Sequence, residues 1–144
     1  MSTAPIVEKV WNPQSLGSKM AVLYADDKTL LDLVSDIVIV VGHKEYNLHK
    51  IILSATSEAF RGMCCFSTST SPKDTVPLFE TEECAAVFED FVEYIYTGNI
   101  NLDMATVDAI ITLANKYQVE DLEKIAKQFQ KKMNQVCSEN IISI

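Results

Sequence analysis

The run Asp36-Ile37-Val38-Ile39-Val40-Val41 constrains this chain more than any other stretch. Its β-branched residues are stiff at χ1 and pack well on a pleated surface, as expected of a strand buried on both faces. Gly42-His43-Lys44 then reads as a turn, and Glu45-Tyr46-Asn47-Leu48 alternates as the returning strand. Most of what surrounds this hairpin has helical spacing.

The first ten residues read as a loose tail, or Ile6 to Val10 as a short strand. Asn12-Pro13 marks a helix start, since Asn accepts from free amides and Pro suits the first helical position. Trp11 and Leu16 stand where a hydrophobic staple would close that cap, and Leu16, Met20, Leu23 and Tyr24 continue one apolar stripe. A helical piece over Lys28 to Val34 carries Leu30, Leu31, Leu33 and Val34. From His49 the pattern is helical again, with Ile52, Ala55, Ala59, Phe60 and Met63 as the inward set. Ser67 to Pro72 is a polar loop, and Val76-Pro77-Leu78-Phe79 a short strand whose proline favours a sheet edge.

Three helices follow. Thr81 caps the first, Glu82 and Glu83 suit its dipole, Cys84, Val87, Phe88, Phe91, Val92, Ile95 and Tyr96 form its apolar face, and Gly98 ends it. The second, capped by Asp103, turns Val107, Ile110, Ile111 and Ala114 inward. The third turns in Leu122, Ile125, Ala126, Phe129 and Met133. The fold class is α+β.

At 144 residues, this is one domain with a short extension. Phosphate binding depends on Lys and Arg, yet 12 basic residues face 20 acidic ones for a net charge of −8, which argues against nucleic acid as a partner. No apolar run approaches the ~20 residues needed to span a bilayer, and the N-terminus lacks a secretory pattern. The expected location is the cytoplasm or the nucleus. Cys64, Cys65, Cys84 and Cys137 form no C-x-x-C pair, so reduced thiols are expected. His43 and His49 have no local nucleophile and orienting group, and the scattered glycines make no phosphate loop. No catalytic residue, cofactor or metal site is expected, which leaves a binding or assembly module.

The residues themselves support a family resemblance. Ser35 to Gly42, Glu45 to Lys50, the helix with Ile52-Leu53-Ser54-Ala55, Ser57 and Phe60, Tyr94 to Gly98, and Ala114 to Val119 closing on Leu122 fall in the order and spacing of the BTB/POZ domain. The chain resembles that family over about residues 34 to 130, and more specifically BTB proteins that continue into a BACK region. The resemblance implies a small mixed sheet, a cluster of helices and an N-terminal dimerisation helix. It divides the chain into a tail (1–11), the domain (12–135) and the start of a following helical region (136–144).

The resemblance also implies partners. A second copy would meet Leu16, Met20, Leu23, Tyr24, Asp36 and Lys50, although Asp36 reads equally well as a group bonding nearby backbone amides. The implied role is an adaptor linking a substrate to a cullin-3 ubiquitin ligase, with Phe60, Met63, Cys64, Phe66, Ser69 and Thr70 facing the cullin. A transcription-linked scaffold recruiting corepressors is the alternative. Cullin-binding relatives often carry a hydrophobic-x-Glu motif after the Phe60 helix, and Cys65 to Ser71 holds no Glu. Ser71, before Pro72, is a candidate phosphorylation site that would supply negative charge there.

Overall fold

The β-branched run becomes the middle of a three-stranded mixed sheet in the order β2-β1-β3. A computed structural model of the chain describes residue 9, residues 16–65 and residues 73–142, with side chains described at all of these but 65 and 138–142. Strand β1 (Ile37–Val41) turns at Gly42-His43 into antiparallel β2 (Lys44–Leu48), with Ile37 opposite Leu48 and Val41 opposite Lys44. Gly42 takes φ +62°, a left-handed conformation that a residue with no Cβ adopts without strain. Strand β3 (Asp74–Leu78) pairs parallel to β1, Ile37 with Asp74 and Val41 with Leu78. It lies at the edge, where Pro77 has no second ladder to deprive of a donor.

Parallel neighbours need a long crossover, and here it runs through α3 (Lys50–Thr56) and α4 (Glu58–Cys65). The single helix expected from His49 is therefore two. Ser57 breaks it in an extended conformation, its hydroxyl accepting from the Phe60 N–H at 3.0 Å and donating to the Tyr117 carbonyl. The break shifts the helical phase. Leu53 and Phe60 become the buried pair, whereas Ala55 and Met63 face outward and Ile52 and Ala59 are half-buried.

Helices α1 (Leu16–Asp26) and α2 (Lys28–Leu33) precede the sheet. Asp27 caps α2 by accepting from the Leu30 N–H at 3.1 Å. Of the four apolar residues expected there, Leu31 turns inward, while Leu30, Leu33 and Val34 are exposed. Helix α5 (Glu82–Thr97) follows its expected pattern throughout: Thr81 accepts from the Cys84 N–H, all seven anticipated residues are buried together with Tyr94, and Gly98 closes the helix at φ +74°.

Before α6 (Val107–Lys116), the Asp103 carboxylate accepts from the Thr106 N–H at 2.9 Å, so its cap closes a turn that leads into the helix. Leu113 is buried, while Ile111 is half-buried. Gln118 carries the chain out of α6 at φ +56°, with the Val119 N–H returning to the Ala114 carbonyl at 2.8 Å. A residue with a Cβ is uncommon at such a helix end, where glycine usually sits. Helix α7 (Glu120–Ile142) buries Leu122 and Ala126, exposes Ile125, and half-buries Phe129 and Met133. It passes position 136 without a break. The expectations at Ile6 to Val10, Trp11, Asn12-Pro13 and Ser67 to Pro72 lie outside the described residues.

Two substitutions test this packing in urea or thermal unfolding. Phe91 is 0% exposed, so Phe91→Ala is expected to cost roughly 3–5 kcal/mol through lost contact and the cavity left behind. Ser57→Ala removes few atoms but strands a buried N–H and a buried carbonyl, and the expected cost is about 1–3 kcal/mol. A Ser57→Ala protein as stable as the parent would show that the break does not depend on that hydroxyl.

Candidate functional site

The junction between β2 and α3 is held by a buried polar knot. His49 is 9% exposed. Its backbone N–H donates to the Tyr96 hydroxyl at 2.9 Å, its Nε2 lies 2.8 Å from the Leu31 carbonyl, and its Nδ1 lies 2.8 Å from the same Tyr96 hydroxyl. A carbonyl can only accept, so Nε2 carries the proton; Nδ1 then accepts, and the Tyr96 O–H is the donor. Burial pushes the Tyr96 hydroxyl well above the ordinary tyrosine range. Both ring nitrogens of the imidazole are thus engaged in holding α2, α5 and the hairpin together.

Asp36 and Lys50 lie side by side in this chain, each with its own role. The Asp36 carboxylate accepts from the Lys50 backbone N–H at 2.8 Å, while the Lys50 ammonium pairs with Asp74 at 2.6 Å. The hydrogen bond that it donates to Asp74 raises the Lys50 ammonium above its ordinary value. Asp74 was missed in the sequence, because its place beside Lys50 follows from the parallel pairing of β3 with β1. Among the described residues, no group of three or more His, Cys, Asp or Glu is arranged to hold a metal ion.

The N-terminal stripe divides. Met20 and Tyr24 pack on the chain's own core, with the Tyr24 ring stacked on Tyr96 at 5.2 Å. Leu23 is half-buried, and Leu16 is 75% exposed. Among the described residues, the large apolar side chains left outside on α1, α2, the residue after it and the start of α3 are Leu16, Val22, Leu30, Leu33, Val34 and Ile51. Val22 and Ile51 were not singled out in the sequence, and Leu33 and Val34 were read only as part of a helical piece. A six-residue helix can bury one face, and Leu31 takes it.

On the opposite side of the crossover, Phe60 cannot face a partner. It is 1% exposed, stacked on Tyr117 at 4.8 Å with the rings parallel to within 2°. Met63 is 38% exposed and Cys64 is half-buried against the core. Phe66, Ser69, Thr70 and Ser71 lie outside the described residues. Phe79, just past β3, is 87% exposed. Its carbonyl accepts from the Lys116 ammonium, which also pairs with Glu80 at 2.8 Å. Among the described residues, no helix is long and apolar enough to cross a membrane.

A known family accounts for these features. The BTB/POZ domain pattern matches residues 26–134. Human Kelch repeat and BTB domain-containing protein 2 is 34% identical over 103 residues, 71% of this chain and 16% of the relative. Human Kelch-like protein 7 is 28% identical over 109 residues, 76% of this chain and 18% of the relative. The chain therefore spans under a fifth of the length of these relatives. The BTB domain of human gigaxonin has the same fold, with a TM-score of 0.70 at 21% identity over 88% of this chain and 99% of that one. The BTB domain of zebrafish PATZ1 likewise gives 0.70 at 17% identity, with the same coverage. With its hairpin, crossover helices, edge strand and helical half all inside or beside the matched region, the chain belongs to the BTB/POZ family, a family of non-enzymatic protein–protein interaction modules.

Proposed function

We propose that this domain forms a homodimer and acts as an adaptor that links a substrate to a cullin-3 ubiquitin ligase. The observation that carries the dimer is the set Leu16, Val22, Leu30, Leu33, Val34 and Ile51, exposed on a chain whose core closes without them. Large apolar side chains left in water favour association, and a two-fold interface can use one patch twice. Within the set assigned from the sequence, Leu16 and part of Leu23 are available to a second copy, while Met20 and Tyr24 support α1 from below. Asp36 and Lys50 shape the neighbouring backbone and ion pair.

The cullin reading rests on the resemblance to BTB proteins that continue into a BACK region, and on relatives whose names carry Kelch. Among the described residues, Met63 and Phe79 are exposed apolar side chains on either side of β3 in sequence, and they are the contacts we assign to a partner. Substrate recognition belongs to sequence outside this domain. One observation favours a second reading: the stretch from Cys65 to Ser71 holds no Glu, unlike the hydrophobic-x-Glu motif of many cullin binders. That departure suits a transcription-linked scaffold whose dimer recruits a corepressor peptide.

Light scattering on the purified chain is expected to give twice the mass of one copy. Leu16→Asp with Leu33→Asp should leave unfolding unchanged and give the monomer, because both side chains are exposed within one chain. A stable double variant that stays dimeric would overturn the interface. Mixed with the cullin-3 N-terminal region, the parent dimer is expected to form a larger complex that Met63→Asp weakens at least tenfold, the effect of about 1.4 kcal/mol. A dimer that ignores cullin-3 would transfer the assignment to the scaffold.

A further inference from the structure

A cavity of about 170 Å³ lies between α1–α2, β2 and α5. Leu16, Val22, Leu33, Val34 and Ile51 do not line it, nor do Met63 and Phe79. That volume is below the roughly 300–1,000 Å³ of a site for a drug-sized ligand and suits a single side chain. Three tyrosines, Tyr24, Tyr46 and Tyr96, contribute to its wall. Two of their rings already carry a cation from the chain itself: the Lys28 ammonium lies 6.0 Å from the Tyr24 centroid and the Lys44 ammonium 5.3 Å from that of Tyr46. Both distances fall within the range of cation–π attraction.

The carboxylates point the same way. Glu89, on α5, holds Lys44 at 2.5 Å, and that bond keeps its carboxyl below the usual carboxylate range. Asp32, four residues after Lys28 and thus on the same helix face, also lines the cavity. Its carboxylate has no hydrogen-bond or ion-pair partner among the described residues. Tyrosine faces, an unpaired carboxylate and a second carboxylate neutralised by a mostly exposed lysine make a site built for positive charge. The chain's net charge of −8 draws such a partner in.

We propose that this cavity receives an arginine side chain of a partner protein, its guanidinium stacked on the tyrosine rings and bonded to Asp32 and Glu89, with Lys44 displaced to solvent. Arginine fits better than lysine because its planar fork stacks on an aromatic face and bonds a carboxylate through two donors. Lys44 is the resident cation: its side chain is 55% exposed and leaves without opening the core.

The test is a titration of the intact chain with N-acetyl-arginine amide, read by nuclear magnetic resonance at the Tyr24 and Tyr46 rings. Saturable shifts at both rings are expected. Lys44→Met removes the competitor and should tighten binding roughly two- to fivefold, the worth of one exposed cation–π contact. Glu89→Gln should weaken it by a similar factor. The opposite signs matter, since both variants remove the same ion pair. Four results would overturn the proposal: no shift at either ring, equal binding of N-acetyl-norleucine amide, inorganic phosphate binding that Lys44→Met abolishes, or ring shifts that follow protein concentration with no arginine added. The last would give the cavity to a second copy.

Discussion

Tyr117 is the residue on which the separate parts of this fold converge. Its ring stacks on Phe60 of α4 and meets Phe88 and Phe91 of α5 at centroid distances of 6.4 and 5.9 Å. Its hydroxyl donates to the Glu80 carboxylate beyond β3, and its carbonyl receives the Ser57 hydroxyl at the break between α3 and α4. Burial, reinforced by the bond to Glu80, pushes that hydroxyl far above the ordinary tyrosine range. One residue thus joins the crossover, the segment after the edge strand and the helical half through both packing and hydrogen bonds. Such a residue does more than fill volume: it fixes the relative positions of elements that come from distant parts of the chain.

What could be read in the sequence was what local chemistry decides. The β1–β2 hairpin follows from β-branched residues and a glycine turn. All seven inward residues of α5 follow from unbroken periodicity between a threonine cap and a left-handed glycine. What escaped reading was set by distant partners. Ser57 looks like any helical serine until Tyr117 is placed beside it, and the resulting break changed which residues of α3 and α4 face inward. Asp74 gave no sign of pairing with Lys50, since that contact depends on the parallel register of β3. Helix α7 turns only a narrow stripe, Leu122 and Ala126, fully inward, so periodicity overstated the burial of Ile125 beside it.

The candidate interaction residues show the same division. The apolar stripe of α1 was legible as a stripe, but one sequence cannot say which of its residues serve the chain's own core and which are left over. Tyr96 decides the matter by offering a ring to Tyr24. Phe60, which looked available to a partner, is claimed by Tyr117. Aromatic residues bury the most area and find aromatic partners first, so the surface left for others is largely aliphatic, with Phe79 the exposed exception among the described phenylalanines.

The packing of α1 onto α5 has a kinetic consequence. A helix held in place only by a second copy must be ordered during association, and the lost freedom slows and weakens that step. Here the Tyr24–Tyr96 stack and Met20 already fix α1 within one chain. Its outward residues are presented in a set arrangement before any encounter. In the proposed homodimer, association through that surface is then the docking of two preformed faces, with a rate governed by diffusion and orientation rather than by folding.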